Sequence, residues 1–419
     1  MLRRIALGLA LTALLPVVAA TGAQAQAEAA LVGATQVTAG GYHSCALLGN
    51  GQVKCWGSNY DGEAGNGTRS IGTMPVTTVL APAGAGPLTG VTQVEVGFYH
   101  SCALLNTGQV RCWGYNGDDQ VGNGSPNPQI SRAKVVSNPA GNGPLTGVTQ
   151  IALGERHTCA RLNNGQVRCW GENTVGEIGD GTSGNTRPRA RIVKNAAGTG
   201  PLGGVTQIDA GNSATCARLG NGQARCWGRN VDGMLGDGTT TPSSLPVAVL
   251  SPAGGAQQGI TQIAIDENHA CALLNSGQAR CWGLNASGQI GDGTTTRRLR
   301  PRTVLNTTGS GPLTGVTQVD AGFDSSCARL GNGQARCWGR GDRGQLGWDS
   351  TSGNLLARVV VNPSASGPLM NVRQVRVGSD HACALLNTGQ VRCWGRNDNG
   401  EVGDGTSGTD RDRPRVVVV

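Results

Sequence analysis

The amino-acid sequence predicts an all-β protein, a seven-bladed β-propeller with four short antiparallel strands and one hairpin disulfide in each blade. The first observation is a stretch, HSCALLGNGQVKCWG at residues 43–57, that occurs seven times in near-identical form. The second is its period, because successive first cysteines are separated by 57, 57, 57, 55, 56 and 56 residues. A fixed period of this size indicates a repeat array. The third is that each repeat carries four strand-like segments, as a propeller blade does.

Residues 1–25 have the pattern of a secretory signal peptide. Arg3 and Arg4 precede an apolar stretch at residues 5–20, and a small-x-small cleavage site ends at Ala25. The apolar stretch is shorter than a comfortable membrane span, and no other long apolar run follows. We therefore expect a secreted protein, extracellular or periplasmic, without a membrane span. The seven repeats occupy residues 26–419 and leave no room for a separate catalytic domain.

The two cysteines of each repeat flank a glycine-ending triplet, which is GNG at residues 49–51. A three-residue hairpin loop has its third residue in the left-handed region, where glycine is favoured. If residues 49–51 form the loop, Cys45 lies opposite Cys55 in a pair whose Cα atoms approach to about 4.5 Å. That separation is within reach of a disulfide.

Three roles are open to the cysteines. A zinc site needs four ligands and usually takes them from closely spaced pairs, whereas here nine residues separate the members of isolated pairs. Export to an oxidising compartment favours disulfides over free buried thiols, which are the main alternative. The expected disulfides are Cys45–Cys55, Cys102–Cys112, Cys159–Cys169, Cys216–Cys226, Cys271–Cys281, Cys327–Cys337 and Cys383–Cys393.

Two further strands complete each repeat. One precedes the hairpin, as GVTQVEVG does at residues 90–97, and one follows a loop rich in Gly, Asn and Asp, as MPVTTVL does at residues 74–80. A closed ring of seven such units leaves no exposed sheet edge along the array. We expect the ring to close by pairing residues 416–419 with a strand near residues 35–39.

The repeat resembles that of the regulator of chromosome condensation family, whose members are seven-bladed propellers. The resemblance rests on the pattern G-x-x-H-[ST]-C-A-L, then G-x-V-x-C-W-G-x-N, then G-x-x-G-[DN]-G-T, and it covers essentially all of residues 26–419. No repeat is long enough to hold the inserted wedge that the nuclear founder uses for nucleotide exchange, so we do not expect exchange activity. Secreted bacterial members are closer in kind, including a proteinaceous β-lactamase inhibitor that grips its target with one face of the ring.

Residues that recur in every repeat are interpreted as structural. We expect the tryptophans to pack in the core, the histidines to tie a loop to a backbone carbonyl, and the basic residues before the second cysteine to pack between blades. The tryptophans are Trp56, Trp113, Trp170, Trp227, Trp282, Trp338 and Trp394. The histidines are His43, His100, His157, His269 and His381. The basic residues are Lys54, Arg111, Arg168, Arg225, Arg280, Arg336 and Arg392.

Charge and motifs exclude several classes of function. The 34 basic and 26 acidic residues give +8, which falls to +6 without Arg3 and Arg4, so acidic partners are favoured only weakly. Nucleic acid is not expected for an exported chain. Loops such as NVDGMLGDGTT have the composition of tight turns and do not match an EF-hand. No catalytic or phosphate-binding motif appears, so we expect no metal and no cofactor.

Function is expected where the repeats differ. Six Phe and Tyr residues and one tryptophan outside the repeat pattern fall in loops after the first and third strands, which emerge on one face of the ring. We predict that they form an arc that binds a protein or glycan, as exposed aromatic clusters do at interfaces. These residues are Tyr42, Tyr60, Phe98, Tyr99, Tyr115, Phe323 and Trp348.

The sequence therefore favours a monomeric binding module and not an enzyme. The alternative is a carbohydrate-active enzyme that uses the mouth of the central channel, where Asp324 and Asp380 are placed beside Glu155 and Glu267. A purely structural surface protein is the third interpretation.

Overall fold

The computed structural model describes residues 29–82 and 86–419, and the predicted signal peptide at residues 1–25 lies outside them. The described residues form 28 strands in seven four-stranded antiparallel sheets. The inner strand of the first sheet packs against the inner strands of both the second and the seventh, so that the sheets close into a ring. The predicted seven-bladed propeller is confirmed. No helix among the described residues has the length and hydropathy that a membrane span requires.

Each blade consists of four strands that are consecutive along the chain. Blade 1 contains β1 Ala34–Ala39, β2 His43–Leu48, β3 Val53–Asn59 and β4 Ser70–Thr78. Blade 2 contains β5 Val91–Val96, β6 His100–Leu105, β7 Val110–Tyr115 and β8 Gln129–Val135. Blade 3 contains β9 Val148–Leu153, β10 His157–Leu162, β11 Val167–Gly171 and β12 Arg187–Ile192. Blade 4 contains β13 Val205–Ala210, β14 Ala214–Leu219, β15 Ala224–Gly228 and β16 Ser243–Ala248.

The remaining blades have the same order of strands. Blade 5 contains β17 Ile260–Ile265, β18 His269–Leu274, β19 Ala279–Gly283 and β20 Arg298–Thr303. Blade 6 contains β21 Val316–Ala321, β22 Ser325–Leu330, β23 Ala335–Gly339 and β24 Asn354–Val359. Blade 7 contains β25 Val372–Val377, β26 His381–Leu386, β27 Val391–Gly395 and β28 Arg411–Val416.

The hairpin register predicted from the glycine-ending triplet is confirmed. Cys45 lies opposite Cys55 in the β2–β3 pair, and Gly51 has φ +76° at the third loop position, where a Cβ would be strained. All 14 cysteines form seven such disulfides, with S–S distances between 2.02 and 2.09 Å. Each blade therefore carries one covalent tie between its two central strands.

The repeated tryptophans join neighbouring blades, and all seven are fully buried. The Trp113 indole N–H in blade 2 donates to the carbonyl of Glu63 in blade 1, with an N···O distance of 2.7 Å. A Cβ on Gly65 would lie 2.7 Å from the Trp113 Nε1, so only glycine lets the loop lie against the indole. The same bond closes the ring, because Trp56 donates to the carbonyl of Glu401 at 2.9 Å.

The repeated histidines also join blades, but their partner differs from the expected backbone carbonyl. His43 Nε2 lies 2.7 Å from the hydroxyl oxygen of Ser101 in the next blade, and that hydroxyl donates to the carbonyl of Glu63. The expectation was wrong because the hydroxyl stands between the ring and the carbonyl. Burial lowers the pKa of His43 to about 3, so the ring is neutral at neutral pH.

A ladder of glutamines links the inner strands around the channel. Gln36 donates to the carbonyl of Val94 in the next blade at 2.8 Å and accepts the Val94 N–H at 3.0 Å. Gln93, Gln150, Gln207, Gln262 and Gln318 repeat both bonds. Gln374 continues the ladder across the seam by accepting the N–H of Val37 at 3.0 Å. In six blades one amide thus satisfies both a backbone donor and a backbone acceptor of the neighbouring blade, and in blade 7 it satisfies a donor, as buried backbone groups require.

The ring closes through a segment different from the one predicted. Residues 35–39 lie in β1 and pair within blade 1 with β2, so they are not available to the C-terminus. Instead the Leu31 N–H donates to the Val417 carbonyl at 2.7 Å, as the Leu88 N–H does to Val79 between blades 1 and 2. Every connector folds back onto the end of the preceding blade, and at the seam residues 29–31 supply this connector.

Candidate functional site

The two ends of the ring have different kinds of loops. One end, the loop face, carries the turns between the first and second strands and the longer loops between the third and fourth strands of each blade. The other end, the hairpin face, carries the short turns between the second and third strands and the connectors between blades. All six Phe and Tyr residues lie in loops of the loop face or at the strand end that adjoins it.

Glycines let the loops of the loop face approach one another closely at the channel mouth. A Cβ on Gly97 would lie 2.3 Å from the carbonyl oxygen of Gly154 in the next blade, which no real side chain tolerates. In blade 5 the same loop position is Asp266, whose pKa burial and neighbouring carboxyls raise well above its ordinary value. The ring of loops is therefore regular in backbone and differs between blades in its side chains.

Four of the predicted aromatic residues form one contiguous group, the aromatic cluster, made of Tyr42, Phe98, Tyr99 and Tyr115. Tyr42 and Phe98 meet edge to face with ring centroids 5.2 Å apart, and Phe98 and Tyr99 are 5.0 Å apart. Tyr99 also contacts Tyr42 at 6.1 Å and Tyr115 at 6.0 Å. These distances are typical of interacting aromatic pairs. All four side chains are half-buried, so each presents part of its ring to solvent.

Two arginines cover the ends of the aromatic cluster. The Arg396 guanidinium of blade 7 lies 5.0 Å from the Tyr42 ring centroid, and that of Arg156 in blade 3 lies 5.9 Å from the Tyr115 centroid. Arg396 is also held by Asp398, with a 2.8 Å N···O distance. The cluster is thus fixed by side chains from four consecutive blades around the ring. Such a preorganised surface loses little side-chain entropy when a partner binds.

Two phenols of the cluster, those of Tyr99 and Tyr115, are protonated at neutral pH. Burial raises the pKa of Tyr99, and it also raises the pKa of Tyr115. Both hydroxyls therefore remain neutral groups that can donate or accept a hydrogen bond.

The other three predicted aromatic residues lie apart from this cluster. Tyr60 is 60% exposed in the next loop of blade 1, and Phe323 is half-buried in blade 6. Trp348 packs partly against the core between blades 6 and 7, and Arg358 lies 5.2 Å from its ring centroid. The structure therefore brings together four of the seven, all from blades 1 and 2. A binding role for any of them stays a prediction.

The acids of the predicted enzyme site occupy different blades and bind protein groups. Asp324 accepts a hydrogen bond from Gln289 Nε2 at 2.8 Å, and Asp380 pairs with Arg340 at 3.3 Å. Burial raises the pKa of Asp324 and also that of Asp380.

The remaining two predicted acids differ from each other in their environment. Glu155 pairs with Arg156 at 3.2 Å. Burial raises the pKa of Glu267 to about 7, and one of its carboxyl oxygens is buried without a hydrogen-bond partner. Among the described residues no group of three or more His, Cys, Asp or Glu side chains is arranged to hold a metal ion.

The channel holds a charged cluster that the sequence analysis missed. Arg376 pairs with Glu95 at 3.2 Å and with Asp320 at 3.1 Å, and Asp209 faces the same cavity of about 70 Å³. These residues share one repeat position, two after the ladder glutamine, where Thr38 stands in blade 1. The signal was present in the sequence, because this position changes from small to charged between otherwise similar repeats.

Burial governs the ionisation of the channel cluster. It raises the pKa of Asp209 to about 8, with a further contribution from Asp320, and it raises the pKa of Asp320 to about 6 although Arg376 opposes the shift. Burial alone would lower the pKa of Arg376, but the carboxyls around it raise the value. Arg376 is therefore the centre of an ion network in a narrow cavity, and Phe98 of the aromatic cluster lines the same cavity.

Comparison with known proteins identifies relatives over most of the chain. The family model described as RCC1-like domain matches residues 138–419, and the regulator of chromosome condensation (RCC1) repeat matches residues 34–63 and 91–120. The chain is similar to the ultraviolet-B receptor UVR8 of Arabidopsis thaliana, with 28% identity over 91% of this chain and 81% of the receptor. It is 30% identical to the human E3 ubiquitin-protein ligase HERC2 over 76% of this chain, which spans 6% of that ligase.

Solved structures show the same fold. Human WBSCR16 superposes with a TM-score of 0.71 and 21% identity, over 88% of this chain and 95% of the other. Yeast RCC1 (Prp20), in a structure bound to Kap60, superposes with a TM-score of 0.69 and 21% identity, over 87% of this chain and 83% of the other.

Proposed function

Because the chain belongs to the RCC1-like domain family, we propose that it is an exported, monomeric binding module that recognises a protein partner through its loop face. The observation that carries the proposal is the aromatic cluster of Tyr42, Phe98, Tyr99 and Tyr115 with its two covering arginines. Tyr and Arg are the residues enriched at the energetic centres of protein interfaces.

The aromatic cluster is not needed for the fold of the repeat. At the repeat position of Phe98, blade 6 carries Phe323 and the other blades carry Gly41, Glu155, Asn212, Glu267 and Ser379. The core of tryptophans, disulfides and glutamines is the same in blades that lack the aromatic residues. Four half-exposed rings in contact are costly in water, and covering them with a partner recovers that free energy.

The relatives support a role in recognition. Propellers of this family often mediate protein binding, and the yeast protein of the same fold was solved bound to Kap60. The likeness in fold does not transfer that partner, so the partner of this chain follows from its own loop face. Hydrogen-bonding phenols and fixed arginines on an aromatic surface suit a protein surface with polar and acidic groups around an apolar centre.

Export is supported by two features. The seven disulfides are compatible with an extracellular location, because cytosolic proteins keep thiols reduced. The leader at residues 1–25 has the pattern of a secretory signal.

The test is capture of a partner from the concentrated medium or periplasmic extract of the native source. The mature chain is immobilised, and retained proteins are compared with those retained by a Phe98→Ala, Tyr99→Ala variant. We expect one or more proteins to be retained by the parent and lost with the variant, while both baits keep the same melting temperature. Retention of the same proteins by both baits would contradict the proposal, and retention of a glycan alone would redirect it.

A further inference from the structure

The charges of the protein are divided between its two ends. For counting charges, the hairpin face is taken as the hairpin turns, the connectors and the two strand residues on either side of each. In the described residues this region holds 17 lysines and arginines and no Asp or Glu. The basic residues are Lys54, Arg111, Lys134, Arg161, Arg168, Arg191, Lys194, Arg218, Arg225, Arg280, Arg302, Arg329, Arg336, Arg358, Arg373, Arg392 and Arg415.

The rest of the described protein has the opposite sign. The sequence has 17 other basic residues, of which Arg3 and Arg4 lie outside the described residues. It has 26 acidic residues, of which Glu28 lies outside them. The remainder of the described protein, which includes the loop face and the channel, therefore combines 15 basic with 25 acidic residues. A net charge of +8 for the whole chain conceals this separation, which creates a strong positive field on the hairpin face alone.

Some basic residues of the hairpin face contact neutral groups, as Arg280 does with Gln257 and Arg358 with Trp348, but none has an acidic partner within 4 Å in the described part of the chain. Among the described residues every ion pair within 4 Å uses an arginine of the loop face or the channel, and none uses any of these 17 side chains. Several are well exposed, including Arg191, Arg302, Arg373 and Arg415. Unpaired exposed charges of one sign repel each other, so an anionic surface that covers them is stabilised.

The geometry favours a flat partner. Every blade supplies at least one of the basic residues, so they form a ring around the channel and not a track. The hairpins of this face all have the same three-residue loop, which keeps the seven blades level. A linear polyanion would touch only part of such a ring, whereas a planar surface faces all of it.

Two apolar residues on the same face favour a lipid surface over nucleic acid or glycan. Val32 and Met370 occupy equivalent connector positions before blades 1 and 7, which are neighbours, and are 62% and 43% exposed. The other connectors carry Thr, Gly or Gln there. Bases and sugars are commonly bound by stacking on aromatic rings, but every Phe and Tyr lies on the loop face. Aliphatic side chains among basic ones are typical of a membrane interface.

We propose that the hairpin face docks on an anionic lipid bilayer, with its ring of Arg and Lys facing the headgroups and Val32 and Met370 entering the interface. Arginine suits this role because its planar guanidinium binds phosphate oxygens in pairs. Docked in this way, the protein points its loop face and aromatic cluster away from the membrane, where a protein partner can reach them.

The test is flotation of the purified mature chain with lipid vesicles. Phosphatidylcholine vesicles containing about 30% phosphatidylglycerol are compared with phosphatidylcholine alone, since each basic residue near an anionic surface adds about fivefold to partitioning. We expect binding only to the anionic vesicles, and release when added salt screens the charges. Failure to float with anionic vesicles at low salt overturns the proposal.

Two triple variants with the same change in net charge test whether vesicle binding depends on the basic residues of the hairpin face. The variant Arg161→Gln, Lys194→Gln, Arg373→Gln, which changes residues in a connector or within two residues of a hairpin or connector, should reduce partitioning by about a hundredfold, from three lost contacts near the surface. The control, Arg69→Gln, Arg297→Gln, Arg300→Gln, removes three arginines from the loop-face half and should retain binding within a fewfold. Equal losses in both variants would overturn the proposal.

Two further measurements test the lipid as the occupant. Replacing the apolar pair with Val32→Ser, Met370→Thr should weaken vesicle binding by a similar factor at low and moderate salt, because the apolar contribution is not screened, whereas the loss caused by the changes of basic residues should shrink as salt rises. A chain that binds soluble polyphosphate but not anionic vesicles would overturn the proposal in favour of a polymer.

Discussion

The loop face and the hairpin face are built by the same seven repeats, yet they differ in almost every property that decides binding. Loops between the third and fourth strands vary from 10 to 15 residues, whereas the hairpin loops are all three residues long. The loop face holds the aromatic cluster and most acids, and the hairpin face holds unpaired bases. Positions that repeat maintain the fold, and positions that vary between repeats are free to acquire a partner.

The largest expected effect on stability comes from replacing a tryptophan that recurs in every repeat, compared with replacing the tryptophan outside the repeat pattern. Trp170→Ala should lower the free energy of unfolding by about 4 kcal/mol, because it empties a fully buried site between blades. Trp348→Ala should cost about 1 kcal/mol or less, because its side chain is only partly buried against the core. Chemical denaturation of both variants measures the difference.

The comparison fails if the two tryptophan variants lose similar stability. A small effect at Trp170 would show that its bond to the Gln120 carbonyl at 2.9 Å does not join blades 2 and 3 as described.

Removal of one disulfide should have the next largest effect. The double change Cys102→Ala, Cys112→Ala should destabilise the protein by about 2 to 3 kcal/mol, the low end for disulfides because the closed loop is short. Thermal unfolding under non-reducing conditions measures it, and loss of the aromatic cluster by Phe98→Ala, Tyr99→Ala is the matched change in the same blade. Equal destabilisation by both would remove the distinction between repeated and variable positions.

Deleting the residues that close the ring should have a smaller effect on stability. Deletion of residues 417–419 should lower the melting temperature by a few degrees, since it exposes a site worth about 2 kcal/mol. Val417 is fully buried and accepts the Leu31 N–H. Deletion of Val419 alone, whose side chain is 46% exposed and which loses one hydrogen bond to the Ala29 carbonyl, is the comparison and should lower the melting temperature less than the longer deletion does. An unchanged melting temperature for the longer deletion would mean that closure depends on the glutamine ladder and the Trp56 to Glu401 hydrogen bond, and not on residues 417–419.

Replacing a buried histidine should have the smallest effect on the free energy of unfolding, and this effect should depend on pH. Burial lowers the pKa of His157 to about 4, while an unfolded histidine titrates near 6.5. Unfolding therefore takes up a proton between these values, so stability from the neutral ring is complete above about pH 6.5 and is lost as the pH falls toward 4.

The variant His157→Gln isolates this contribution. At neutral pH it should be less stable than the parent by about 1 kcal/mol for the lost hydrogen bond to Thr215, and the gap should shrink as the pH falls from about 6.5 toward 4. Urea midpoints at several pH values measure the gap. A gap that stays constant or widens on acidification would contradict the neutral, buried assignment.

The repeated features could be predicted from the sequence because each rests on local rules applied seven times. The triplet ending in Gly51 fixes the hairpin, the hairpin places Cys45 opposite Cys55, and the count of repeats fixes the number of blades. These steps need no knowledge of how distant segments meet.

The features that were missed depend on contacts between blades. The hydroxyl partner of His43 lies 58 residues away, and the Arg376 to Glu95 pair crosses 281 residues. The closing connector at residues 29–31 was overlooked because its own repeat begins earlier than the TQV strand suggests. Contact among Tyr42, Phe98, Tyr99 and Tyr115 needed the ring to bring blades 1 and 2 together.

The central claim is that repeated residues hold the ring and variable residues of the loop face bind the partner. The most direct measurement is the dissociation constant for a captured partner, with melting temperature recorded for each variant. Phe98→Ala, Tyr99→Ala should weaken affinity about thirtyfold or more, since an interface aromatic is commonly worth about 2 kcal/mol. The matched hairpin-face change Val32→Ser, Met370→Thr should leave that affinity unchanged, and all three proteins should melt together. Parental affinity in the loop-face variant, with an unchanged melting temperature, would contradict the claim.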